Sequence, residues 1–175
     1  MAEMTFTIAG GPGVEVHVEE IEGDLHFTVT LLGQGGLTAD IRGVFFDLGG
    51  VTIPESLKLT SSDGSVTDFQ AREGGVINLG AGANMNGAAD PFDVGVEIGS
   101  AGIGRDDWQS TSFVLSANTD LSLDLIASQT FGVRLTSVGL EGGERADGLK
   151  LVGTAADQAD GGEPGDEPGD EPGDE

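Results

Sequence analysis

The sequence predicts an all-β fold, an antiparallel β-sandwich of jelly-roll type, on three observations. Thirty-one glycines are spread through 175 residues, and between them lie many Val, Thr and Phe residues, which suit a pleated, half-buried surface. Apolar residues recur with period two, and a 3.6-residue repeat is almost absent. Turn residues return at short intervals, the spacing of a sandwich rather than of βαβ units.

The first hairpin is the clearest element. Val14, Val16 and Val18 alternate with Glu15, His17 and Glu19, and after Glu22-Gly23 the residues Leu25, Phe27, Val29 and Leu31 alternate with His26, Thr28 and Thr30. One face is apolar and the other wet. With Glu22-Gly23 as the turn, Glu19 opposes His26 and His17 opposes Thr28; the alternative register places His17 opposite His26. Further strands are expected at Asp40 to Leu48, Ser56 to Thr60, Ser65 to Gln70, Val94 to Ile98, Ser110 to Ser116, Phe131 to Val138 and Gly148 to Val152, about nine in all. Leu121 to Ser128 reads as strand or short turn. Gly74 to Asp93, rich in Gly, Ala and Asn, reads as a long surface loop, the kind of segment that carries function.

One domain is expected over residues 3–153. Beyond it Glu-Pro-Gly-Asp repeats start at Glu163, Glu167 and Glu171. Proline and glycine every fourth residue block helix and sheet, so residues 154–175 are expected to be a disordered linker or tail.

Seven basic against 31 acidic residues give a net charge of −24. Nine of the acids follow Thr154, which leaves 22 acids and 7 bases, −15, on the domain itself. Such a surface repels nucleic acid and anionic membranes; it suits a high-salt medium or waits for divalent cations. No cysteine is present, so disulfides and thiolate metal sites are excluded, which favours calcium held by oxygen. No apolar run is long enough for a spanning helix, and the start lacks the basic and apolar regions of a signal peptide. A parent chain is expected to carry the export signal.

Four stretches read together as a pattern: Asp40-Ile41-Arg42-Gly43-Val44-Phe45-Phe46-Asp47; Asn84-Met85-Asn86-Gly87-Ala88; Asp93 to Gly99 with Asp106-Asp107-Trp108-Gln109-Ser110-Thr111-Ser112-Phe113; and Phe131 to Gly139. Over about residues 24–153 the chain resembles β-rich modules embedded in large secreted, RTX-type calcium-dependent proteins of marine proteobacteria. The resemblance implies an extracellular accessory module among the other domains of a parent protein. The glycine-rich calcium-binding nonapeptides of RTX repeats are missing here, so no calcium ligand is carried over from them.

The residues themselves offer few routes to catalysis. His17 and His26 lie on the wet face of the hairpin, where a metal pair or a solvated surface are the two readings. Acidic pairs are too abundant to mark a glycosidase, and one Trp with no Tyr makes a poor sugar cleft; the chain is expected not to be an enzyme. Calcium takes six to eight oxygens from flexible loops, which points to Asn86, Asp90, Asp93, Asp106 and Asp107, against the alternative that Asn and Asp merely suit turns. Glu15 with Asp147 ranks second as a metal pair. Asn84, Asn86, Trp108 and Gln109 are the expected ligand-binding residues, with Trp108 a sugar platform or an anchor for the following strand. Arg42 and Arg134, in mid-strand, are expected to pair with carboxylates across the sheet. The leading expectation is a non-catalytic, Ca2+-stabilised module that binds a polysaccharide or cell-surface glycan; a structural or adhesin spacer is the alternative, and a carbohydrate-active enzyme the third.

Overall fold

Glu22 and Gly23 both adopt positive φ, 50° and 85°, the pair of left-handed residues that matches a two-residue turn to the twist of its strands. The turn sets the register of β2 (Val14–Ile21) on β3 (Asp24–Leu31), with Glu19 opposite His26 and His17 opposite Thr28. The computed structural model describes residues 2–49, 56–80, 82–100 and 107–154. The other strands are β1 (Ala2–Ile8), β4 (Leu37–Phe46), β5 (Lys58–Ser61), β6 (Val66–Val76), β7 (Phe92–Ile98), β8 (Ser110–Ser116), β9 (Thr130–Leu140) and β10 (Asp147–Thr154). They form two five-stranded antiparallel sheets packed face to face, in the orders β1-β2-β3-β8-β5 and β10-β9-β4-β7-β6. Strand β1 is an addition to the sequence reading; its Met4, Phe6 and Ile8 alternate inward with the same period as β2. Leu121 to Ser128 is not a strand but a turn region with one 3-10 turn at Leu123–Leu125.

The core between the sheets is aromatic. Phe6, Phe131, Phe46, Phe27 and Phe113 touch in succession, with centroids 4.9, 5.4, 5.0 and 5.0 Å apart. The line passes from one sheet to the other and back. Each such pair contributes about 0.5–1.5 kcal/mol beyond its buried area.

Strand β4 is buried on both faces from Ala39 to Phe46. Its inward residue Phe46 joins the main core, while the next-door Phe45 faces outward into a second cluster with Val76, Met85 and Phe92. Phe45 is in register with Gly132 on β9 and Gly95 on β7. A Cβ at Gly132 would come within 2.8 Å of Met85 and 2.9 Å of Phe92, and one at Gly95 within 2.6 Å of Val76. The two glycines thus make the floor on which an outer layer rests.

That layer is the segment read as a free surface loop. Its chain is pinned by Met85 N–H donating to Ile77 O at 2.9 Å and Leu79 N–H to Ala83 O at 2.8 Å. Ala83 and Met85 are fully buried. We call residues 77–80 and 82–91 the lid. Its small residues let it lie close to the sheet, where larger ones would hold it away. The masking of apolar surface on β4 is therefore done from within the chain.

Candidate functional site

The predicted site residues fall in two places at opposite ends of β4. Asp93 meets the Phe46 end of β4, accepting Leu48 N–H at 2.8 Å and Gly74 N–H at 2.7 Å, one on each oxygen. Trp108 meets the beginning: its N–H donates to Asp40 Oδ1 at 2.8 Å and its carbonyl accepts Ile41 N–H at 2.8 Å. Asp47 follows Asp40 by seven residue steps, about 23 Å at about 3.3 Å per residue. No single ligand shell spans both.

At the Asp93 end the acids crowd. Asp93 N–H donates to Asp47 Oδ1 at 3.2 Å, and the Asp47 carboxyl is pushed above its ordinary range, first by burial and then by the negative charges of Asp93 and Asp90. Asp90 and Asn86 are exposed. Asn84, half-buried, bridges to Asn78 within the lid, and its side-chain oxygen accepts Asn86 N–H at 3.1 Å. Among the described residues no group of three His, Asp or Glu side chains is assembled to hold a metal ion.

A consequence can be measured at Asp47. The folded state binds this proton more tightly than the unfolded chain does, so the contribution of Asp47 to stability is fully present below the unfolded pKa of about 3.9 and is lost as pH rises through the folded value. Asp47→Asn mimics the protonated form and keeps an acceptor for Asp93 N–H. In metal-free buffer it is expected to melt above the wild type at pH 7, with the gap closing as pH falls. A variant less stable at pH 7 would show that the carboxylate charge is favourable there.

At the Trp108 end the predicted ligands are engaged differently. Both Asp107 oxygens accept from Arg145, at 2.8 and 2.9 Å, and that guanidinium holds the Asp107 carboxyl below its ordinary value. Trp108 is half-buried and packs on the main core. Asp106 lies outside the described residues. Gln109 donates from Nε2 to Ala39 O at 3.1 Å and lines an open pocket of about 220 Å³ with Leu31, Leu32, Leu37, Thr38 and Glu141. The leucines and Glu141 were not among the predicted site residues, because the pocket joins the ends of β3 and β9 to the starts of β4 and β8.

Elsewhere, Glu15 and Asp147 sit on different sheets, in register with Thr7 and Thr30 and with Val138 respectively. His17 Nδ1 is 2.7 Å from Thr5 Oγ1, and its Nε2 is 3.8 Å from both Glu3 and Glu19. The group stands on the outer face of the β1-β2-β3 sheet, opposite the core side of Val16 and Val18. Arg42 pairs with Glu97 at 2.8 Å, as expected. Among the described residues Arg134 has no carboxylate partner; it donates to the carbonyls of Gly82 at 3.0 Å and Leu149 at 3.4 Å, where the lid backbone lies over it.

No known family model matches the chain, and no curated protein is significantly similar to it. Among the described residues no helix is long and apolar enough to cross a membrane.

Proposed function

We propose that the chain is a non-catalytic binding module of a secreted bacterial protein, taking one sugar unit of a polysaccharide or cell-surface glycan in the pocket beside Gln109. The observation that carries this reading is the composition of that pocket: leucine side chains for the apolar face of a sugar, with Gln109, Thr38 and Glu141 as hydrogen-bonding groups around it. Concave sites of this kind, apolar with a few polar groups, are the usual places for small ligands, and about 220 Å³ is room for a ring rather than an oligosaccharide.

Affinity electrophoresis of the wild type through xylan, alginate and β-glucan gels tests it. Gln109→Ala is expected to weaken retardation by the cognate glycan about tenfold, the loss of about one good hydrogen bond, without loss of the folded spectrum. Equal retardation of variant and wild type, or no retardation by any polymer, would favour the spacer reading. That reading draws on Asp93 and Asp107, whose oxygens are already bonded within the fold.

Calcium belongs to this reading as a stabiliser of the other end, where Asp47, Asp90 and Asp93 repel one another. A cation there would offset the repulsion. At free calcium about one hundred times its dissociation constant the gain is about 2.7 kcal/mol, a rise of roughly 5–11 °C in Tm for a domain of this size. Magnesium should give much less. A sodium control of equal ionic strength that reproduces the whole shift would remove calcium from the account.

A further inference from the structure

Six of the seven basic side chains lie among the described residues, and two of them, Arg134 and Lys150, stand directly opposite each other on β9 and β10. Both point to the outer face of their sheet, since the alternating residues Val133, Leu135 and Leu151 are in the core. Arg42 and Arg145 each have a carboxylate partner. Arg134 and Lys150 have none among the described residues. Lys150 Nζ instead donates to Asn86 O at 2.6 Å, as Arg134 does to the carbonyls of Gly82 and Leu149.

Like charges on directly opposed strand residues repel, and an anion set between them would turn that cost into two charge-assisted contacts. The donors for it are present. A guanidinium has five N–H groups, and the two bonds made by Arg134 leave three without an acceptor among the described residues. Gly148 lets this guanidinium lie against β10: a Cβ there would come within 3.1 Å of Nη1 and 3.2 Å of Nη2. One row along the sheet, where Val152 faces Gly132, the valine is 40% exposed, an apolar surface beside the cations. Asn86, whose carbonyl accepts Lys150 Nζ, is itself exposed.

From this arrangement we infer that Arg134 and Lys150 form a site for an anionic group, a carboxylate or a sulfate ester, which on the glycan-binding reading proposed above is carried on a sugar. It is separate from the pocket at Gln109. Burial lowers the Arg134 pKa, as befits a cation short of a counter-charge. The acidic surface elsewhere opposes anions only weakly in salt, because charges are screened over about 8 Å at 0.15 M.

The test is an NMR titration of the 15N-labelled full chain at constant ionic strength, with sodium glucuronate, sodium sulfate, sodium chloride and glucose as probes. Saturable movement of the Arg134 Nε–H and the Lys150 and Val152 amides is expected with glucuronate or sulfate and not with chloride or glucose. Response to one alone names the acid class. Lys150→Gln should weaken it about tenfold, the loss of one charge-assisted contact, and Lys150→Arg should retain it. Movement no greater than with chloride would overturn the site, as would undiminished binding in a folded Lys150→Gln. Should that variant unfold, the wild-type titration with its chloride control decides the matter alone.

Discussion

Arg42→Ala is expected to lower stability by about 3–5 kcal/mol, the cost of leaving a buried charge partner behind, which is roughly 6–20 °C in Tm for about 150 residues. Arg42 is 1% exposed, the extra residue where the register of β4 on β9 shifts between Ile41 and Gly43. Its Nη1 donates to the carbonyls of Ile98 and Gly99, both at 2.9 Å, and its Nη2 to Glu97 Oε2 at 2.8 Å. Glu97 Oε1 in turn accepts Thr67 Oγ1 at 2.8 Å. The single change takes a donor from the Ile98 and Gly99 carbonyls and the counter-charge from Glu97, leaving the Gly99 carbonyl and the Glu97 carboxylate only their bonds from Thr67 Oγ1. Arg42→Met together with Glu97→Met removes both charges and should recover part of the loss. Urea unfolding of the single and double variants measures this, and a cost below about 1 kcal/mol for Arg42→Ala, the range of an exposed pair, would show that the bonded geometry contributes little.

Phe45→Ala should cost about as much, some 3–5 kcal/mol, but with a different distribution of damage. Phe45 has no contact role in the five-ring core; it sits beneath Met85 and Phe92, 5.7 Å from the Phe92 centroid. Truncation leaves Gly95, Gly132 and an alanine in one row, a trough with nothing to seat the lid. The lid should then become open to proteolysis at concentrations of denaturant where the two sheets still hold, since local opening follows the loss of local apolar contacts. Phe46→Ala is the control: it should unfold lid and sandwich together. Equal protease resistance of the lid in Phe45→Ala and wild type would mean that the lid is held by its backbone bonds and by Arg134 and Lys150 instead.

The all-β class and the later strands, from β4 to β10, were legible in the sequence, but strand pairing was legible only within one hairpin. The pairing of β2 with β3 followed from alternation and from Glu22-Gly23, and Ser110–Ser116 was bounded by turn residues on both sides. The lid was hidden for a physical reason: its signal is not in its own residues, which are small and polar enough for an open loop, but in Phe45, Gly95 and Gly132. Those three meet only after strands far apart in sequence have paired. The candidate site shows the same limit. Asp93 and Asp107 could be recognised as loop acids, whereas the backbone N–H groups and the Arg145 guanidinium that occupy their oxygens come from distant segments. Gln109 was identified, but its leucine neighbours at the end of β3 and the start of β4 were not.

The strand order also dictates when structure can form. Within the sheet β1-β2-β3-β8-β5 only the first three strands are consecutive, and β3 waits for β8, while β4 is flanked by β7 and β9. Closing loops of this length precedes any gain from the contacts, the situation of high contact order and of refolding in milliseconds to seconds. During synthesis the β1-β2-β3 meander can assemble alone, with its apolar face bare, until Ser110–Ser116 emerges to complete its sheet and Thr130–Leu140 and Asp147–Thr154 emerge to complete the other. The exposed edge of β3 is in that interval a template for a neighbouring chain, so the nascent protein, rather than the finished one, is where this fold is most open to aggregation.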